Sequence, residues 1–276
     1  MRKKNYPTDL HDSEWERLEP LLPEPNQPPK RGRPTQVAYR EILNALLYVA
    51  RSGCAWDLLP HDFPPSRTVY YYFLKWSGDG TWKRIHDALV KAVRVQAGRS
   101  EEPTVGIIDS QSVKTTIESG RSCGYDPAKR LKGRKRHAVV DSLGLLLSLV
   151  VHDADIQDRD GAEDVLKRVF DQFWQVVKIF ADTGYDAKRL AKWVQSQWAE
   201  LQLVQKLKDQ VGFVVHAKRW LVERLFAWLG RWRRLSKDYE VNPRNSEAFI
   251  YLALTSLMLA KLEHPKPAWR QRLPSS

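Results

Sequence analysis

Beyond residue 103 the chain repeats one alternation: a short run of Val, Ile and Leu, a turn, then a stretch with helical period. TVGIID (104–109), HAVVD (137–141) and LLLSLVV (145–151) read as strands, and the DSLG between the last two suits a hairpin turn. A helix over 161–173, the strand VVKIFAD, a helix over 186–198, the strand LQLVQKL and a long helix over 217–235 follow, with another helix near 246–262 to close the core. Strands interleaved with helices give an α/β or α+β domain built on a mixed sheet, expected over residues 101–265.

The first hundred residues follow a different pattern, that of a small all-helical domain. Ile42, Leu46, Val49 and Ala50 share one helical face; Val69, Tyr72, Phe73 and Trp76 share a second; Trp82, Ile85, Leu89 and Ala92 share a third. Ahead of them, residues 20–36 (PLLPEPNQPPKRGRPTQ) hold six prolines and read as an extended surface segment. A basic tail is expected at 266–276.

Charge narrows the partner. Lys and Arg number 45 against 33 Asp and Glu, a net charge of +12. Such an excess favours a polyanion, and double-stranded DNA leads. Candidate phosphate contacts are Lys30, Arg31 and Arg33 in the Pro-rich arm, and Lys129, Arg130, Lys132, Arg134, Lys135 and Arg136 in KRLKGRKRH. Cys54 and Cys123 show no metal-ligand spacing and cannot make a disulfide framework, the usage of a reducing cytoplasm. The charged start has no signal-peptide core, and no apolar run reaches the roughly 18 residues of a membrane span.

Three acids stand out by setting. Asp109 ends the apolar run VGIID and Asp182 ends KIFAD, where side chains emerge from a sheet. If those strands are neighbours, two carboxylates at one sheet edge repel unless a cation lies between them, and hard oxygen ligands without Cys or His suit Mg²⁺ or Mn²⁺. Glu223 interrupts the apolar and basic helix HAKRWLVERLFAWLGRWRRLSKDYE. It shares a face with His216, Arg219, Gly230 and Arg234, opposite Leu221, Leu225, Trp228 and Trp232. Asp141, Asp153, Asp155, Asp158 and Asp160 are competing acids, with turn or helix-start roles as the plainer explanation.

VGIIDSQSVK, KIFADTGYD and WLVERLFAWLGRWRRLSKDYE, together with SGCAWDLLPHDFPPSRTVYYYFLKW nearer the start, resemble the DDE transposases of bacterial insertion sequences, in particular the insertion sequence 5 group. The resemblance covers nearly the whole chain. It implies an RNase H-like catalytic domain behind a helical DNA-binding region, with Asp109, Asp182 and Glu223 as the catalytic carboxylates holding two Mg²⁺ or Mn²⁺ ions. It also implies cleavage at the element's ends and strand transfer of the 3′-OH into target DNA, by a homodimer or higher assembly in a bacterial cytoplasm.

Related transposases carry Tyr, Arg, Glu and Lys around the catalytic Glu. Here Arg219 and Glu223 match, His216 stands at the Tyr position and Gly230 at the Lys position, leaving Arg231, Arg234 and Lys237 to hold the terminal phosphate. Between Asp182 and Glu223 there is room for one helix and one short strand, without an inserted β domain. Two other classes stay open at this point: a transposase-derived repressor without catalysis, and a metal-dependent nuclease without strand transfer.

Overall fold

The computed structural model describes residues 6–24, 37–120, 122–204 and 219–264. The expectations placed on Lys30, Arg31, Arg33 and His216, on residues 205–207 and on the 266–276 tail lie outside the described residues. The described chain divides into two compact units, one holding the N-terminal residues up to 97 with 232–235 and the stretch from 248, the other holding 98–231 and 236–247.

The first unit is helical: α1 (Asp12–Leu18), α2 (Tyr39–Ser52), α3 (Ser66–Gly78) and α4 (Thr81–Gln96). Its core is aromatic, with Trp76 edge-on to Trp82 at 5.4 Å between ring centres and Phe73 against Phe249 at 4.4 Å. On α4 the buried stripe runs through Trp82, Ile85 and Leu89 to Val93, while Ala92 is exposed. From Leu89, steps of three and of four both stay near one face, and the larger side chain took the core.

The second unit is a mixed sheet flanked by helices, the RNase H-like arrangement that the resemblance implies. Its strands are β1 (Val105–Lys114), β2 (Gly124–Asp126), β3 (Leu131–Val140), β4 (Leu146–Asp153), β5 (Lys178–Ala181) and β6 (Glu200–Leu203). β1, β3 and β4 pair antiparallel in turn, whereas β5 and β6 continue the sheet from β1 in parallel. The parallel strands need helical crossovers. α6 (Lys188–Ser196) supplies the one between β5 and β6, and α5 (Asp158–Gln172) lies between β4 and β5 in sequence. One core gathers Ile108, Val139, Leu147, Val165, Leu166, Ile179 and Val194. Gly106 allows the sheet to close there, since a Cβ would fall 2.8 Å from Ile179 and 2.9 Å from Val139.

Several expected boundaries move. β1 continues five residues past Asp109, because Ser110 to Lys114 keep an antiparallel partner in β3. β3 starts at Leu131 and so absorbs most of the basic run. α7 (Arg219–Leu229) ends before Gly230 instead of reaching 235, and residues 233–235 form a separate 3-10 turn. α8 (Pro243–Glu263) begins in the sheet unit, and its stretch from 248 belongs to the helical one. Among the described residues no helix is long and apolar enough to cross a membrane.

Candidate active site

Strand register decides which side chains can meet. β1 pairs with β5 in parallel, with Ile107 opposite Phe180, so two residues further on Asp109 comes level with Asp182, just past the end of β5. Successive strand residues face opposite sides of the sheet. Asp109 therefore looks to one face and Ser110 to the other.

Asp109 is half-buried, and its Oδ1 accepts the Ser110 N–H at 2.7 Å. Burial pushes its carboxyl up to about 6; the Ser110 N–H and the Arg219 guanidinium work against the rise, while the charges of Asp182 and Glu223 add to it. Asp182 caps the turn Thr183–Tyr185, its Oδ1 accepting the Gly184 N–H at 2.8 Å. The capping role thus coexists with the exposed strand-end position. Glu223, exposed on α7, accepts from Arg219 Nη2 at 3.2 Å, and the same nitrogen lies 3.9 Å from Asp182 Oδ2. Arg219 thus reaches two acids distant in sequence, and its charge and theirs also bear on Asp109.

The donor chemistry fits a hard divalent cation, being carboxylate oxygen without thiol or imidazole. The raised Asp109 carboxyl reflects burial first, with the charges of Asp182 and Glu223 adding to it. In this arrangement no group of three His, Cys, Asp or Glu side chains among the described residues is close enough to hold a metal ion.

The competing acids have other occupations. Asp141 is buried in the hairpin turn, its Oδ1 accepting the N–H groups of Leu143 and Leu145 at 2.9 and 2.8 Å. Asp153 accepts from Ser122 Oγ, and Asp160 faces Arg189 at 3.6 Å. Asp155 packs against Gly124, where a Cβ would fall 2.1 Å from its Oδ1. Asp158, the first residue of α5, takes Ser110 Oγ at 2.8 Å and Lys135 Nζ at 2.9 Å.

The basic residues divide. Lys129, Arg130 and Lys132 are exposed around the β2–β3 turn, where phosphate could reach them. Arg134, Lys135 and Arg136 are buried, which corrects the expectation that the whole run contacts phosphate. Arg134 is 0% exposed and donates to Asp238 Oδ1, Ser246 Oγ and the carbonyls of Ser119, Ser122, Glu240 and Val241. Lys135 donates to the Ile156 carbonyl and pairs with Asp158. Arg136 lies across from Gln111, and burial lowers its guanidinium to about 10. Arg219 stays beside the acids, and Arg231 and Lys237 are exposed. Arg234 is held over the rings of Trp56 and Phe249 at 5.8 and 5.3 Å, a cation–π seat that takes it from the set of free phosphate-holding groups.

Sequence reasoning passed over Ser110, His137 and Tyr185 as site neighbours. Period-two alternation could have put Ser110 on the face opposite Asp109, but His137 becomes its partner only through the antiparallel register.

Residues 100–259 match a family model described as "Transposase DDE domain", and residues 10–86 match one described as "Putative transposase of IS4/5 family". Two curated proteins of Burkholderia cepacia are similar to the chain. The insertion element IS402 uncharacterized 16.2 kDa protein is 28% identical over 122 residues, spanning 43% of this chain and 80% of that protein. The "Putative transposase for insertion sequence element IS402" is 27% identical over 137 residues, spanning 47% of this chain and 64% of that protein.

Proposed function

Because the chain belongs to the transposase DDE domain family, we propose that it cuts DNA at the ends of an insertion sequence and transfers the freed 3′-OH ends into target DNA, with Asp109, Asp182 and Glu223 as its catalytic carboxylates. The observation carrying this reading is that Arg219 of α7 reaches both Asp182, at the end of β5, and Glu223, while its charge and theirs bear on the buried carboxyl of Asp109 on β1. The three would hold Mg²⁺ or Mn²⁺, as a two-ion site. Bound there, divalent cations supply charge neutralisation at the scissile phosphate and a more acidic attacking water.

The chain's own residues set the rest. Asp109, its carboxyl raised by burial, would be favoured as an anion by a nearby cation, and its backbone tie to Ser110 fixes its direction. Arg219 balances Asp182 and Glu223 and would offer a donor to a phosphate oxygen bound beside them. Both steps are in-line displacements at phosphorus, first by water and then by the 3′-OH, so one site can serve both without a covalent protein intermediate. The exposed Lys129, Arg130, Lys132, Arg231 and Lys237 would hold the DNA backbone, the helical residues 1–100 would engage the element's ends, and two ends call for a homodimer or higher assembly.

The test is incubation of the protein with Mg²⁺ and duplexes bearing its element's terminal repeats. Joined product is expected. Cut but unjoined DNA would make it a nuclease, and shifted but uncut DNA a repressor. Asp109→Asn, Asp182→Asn and Glu223→Gln should each abolish cleavage while end binding survives, and full activity in any one would remove that residue from the site.

A further inference from the structure

Asp158 lies outside the three proposed carboxylates, yet it touches the elements that carry two of them. Its Oδ1 receives Ser110 Oγ at 2.8 Å and Lys135 Nζ at 2.9 Å, with His137 Nε2 at 3.5 Å. Ser110 follows Asp109 directly and donates its N–H to that carboxylate. Lys135 and His137 alternate with Arg134 and Arg136 along β3, so they share the Ser110 face of the sheet. On the other side, Asp158 lies beside the turn carrying Asp182: a Cβ at Gly184 would sit in van der Waals contact with Asp158 Oδ2, at 3.8 Å, and closer to Asp182 Oδ1, at 3.0 Å.

Tyr185 fills the space beneath. It is 0% exposed, with its ring centre 6.0 Å from that of His137. Burial, then the charges of Asp109, Asp158 and Asp182, push the Tyr185 hydroxyl well above the usual tyrosine value, as its place among all three carboxylates requires. Gly161, within the first turn of α5, lets the helix close on the histidines; a Cβ there would fall 2.6 Å from both His137 and His152. Burial alone would raise the Asp158 carboxyl, but the hydrogen bonds from His137, Lys135 and Ser110 hold it well below the usual range. It is therefore a committed anion, matched by Lys135, with its Oδ1 fully engaged.

We propose that Asp158 is a positioning residue: anchored by Lys135 and His137 of β3, it fixes Ser110, and through Ser110 the direction of Asp109, against the turn that carries Asp182. Carboxylates and other groups behind metal ligands commonly change metal affinity or activity by about 10–100-fold when removed. Asp158 would act in that way, through Ser110, without ligating an ion itself. The inference rests on the reading of Asp109 and Asp182 as metal-holding acids.

The test uses the full chain with a terminal-repeat duplex, measuring Mn²⁺ binding by electron paramagnetic resonance, the Mg²⁺ concentration for half-maximal cleavage, and the melting temperature. Asp158→Asn should weaken Mn²⁺ binding about 10–100-fold and raise the Mg²⁺ midpoint by a similar factor, with end binding retained. Ser110→Ala, a milder change should Asp158→Asn fold poorly, should shift both in the same direction, and the double variant should be no worse than Asp158→Asn because both act along one path. A lower melting temperature with unchanged Mn²⁺ binding and Mg²⁺ midpoint would overturn the proposal in favour of a purely structural role. Loss of Mn²⁺ binding as complete as in Asp109→Asn would overturn it in favour of direct ligation. Mn²⁺ binding by Asp109→Asn equal to wild type would overturn the carboxylate-site reading and this inference together, which separates the two failures.

Discussion

Replacing Arg134 by Ala tests whether a basic run on paper is a DNA contact or an internal strut. Arg134 makes six hydrogen bonds, to the stretch before β2, to the segment before α8 and to Ser246 in the first turn of α8, all from a guanidinium with 0% exposure. Its removal strands Asp238, whose side chain is 1% exposed. Breaking a buried ion pair by deleting one partner costs about 3–5 kcal/mol. Asp238 keeps Ser246 Oγ at 2.8 Å and the Glu240 N–H at 3.0 Å, which pulls the expectation toward about 3 kcal/mol. The sheet unit is of a size at which each kcal/mol moves the melting temperature by about 2–4 °C, so a fall of roughly 6–12 °C is expected. Urea unfolding and thermal melts measure it, with Arg130→Ala on the exposed turn as a control expected within about 0.5 kcal/mol. Replacing both Arg134 and Asp238 with apolar residues should recover part of the loss, because no buried charge is then left alone. Stability within 1 kcal/mol of wild type, with DNA binding selectively weakened, would refute the internal role and restore Arg134 to the phosphate contacts.

Lys129→Ala, Arg130→Ala and Lys132→Ala should each weaken binding to DNA of any sequence and reduce the slope of log affinity against log salt by about 1, read from filter binding at several salt concentrations. Gly133→Ala should destabilise the sheet by at least about 1–3 kcal/mol in urea unfolding, since its Cβ would fall 1.9 Å from the Val113 carbonyl oxygen, a backbone atom that cannot swing aside. Burial raises the Glu247 carboxyl above its ordinary 4.5, against the pull of Arg168 and the Val151 N–H. A raised carboxyl contributes stability that is present below the ordinary value and lost as pH rises through the raised one, so wild type should lose stability relative to Glu247→Gln across that window in melts at stepped pH.

The alternation of apolar runs and helical stretches after residue 103 was enough to give a mixed sheet flanked by helices, because strand and helix periods are local properties of side-chain spacing. The boundaries were less legible. Asp109 read as a strand end, yet β1 runs on to Lys114 because β3 lies alongside to accept its hydrogen bonds. Likewise KRLKGRKRH read as one basic segment, and the structure splits it at Gly133 into an exposed turn and a buried strand. Charge density does not reveal burial when the neutralising partners, Asp158 and Asp238, lie far along the chain.

The sequence by itself determined the kind of fold and the identity of the acids that merit attention, since an acid following an apolar run is placed by its immediate neighbours. Tertiary structure alone decided which groups meet: the parallel register of β1 and β5 set Asp109 level with Asp182, and the α7 face brought Arg219 and Glu223 to them. The physical reason is that strand pairing and helix docking are choices among distant partners, and the period-two facing of a strand turns each choice into which side chains share a side of the sheet.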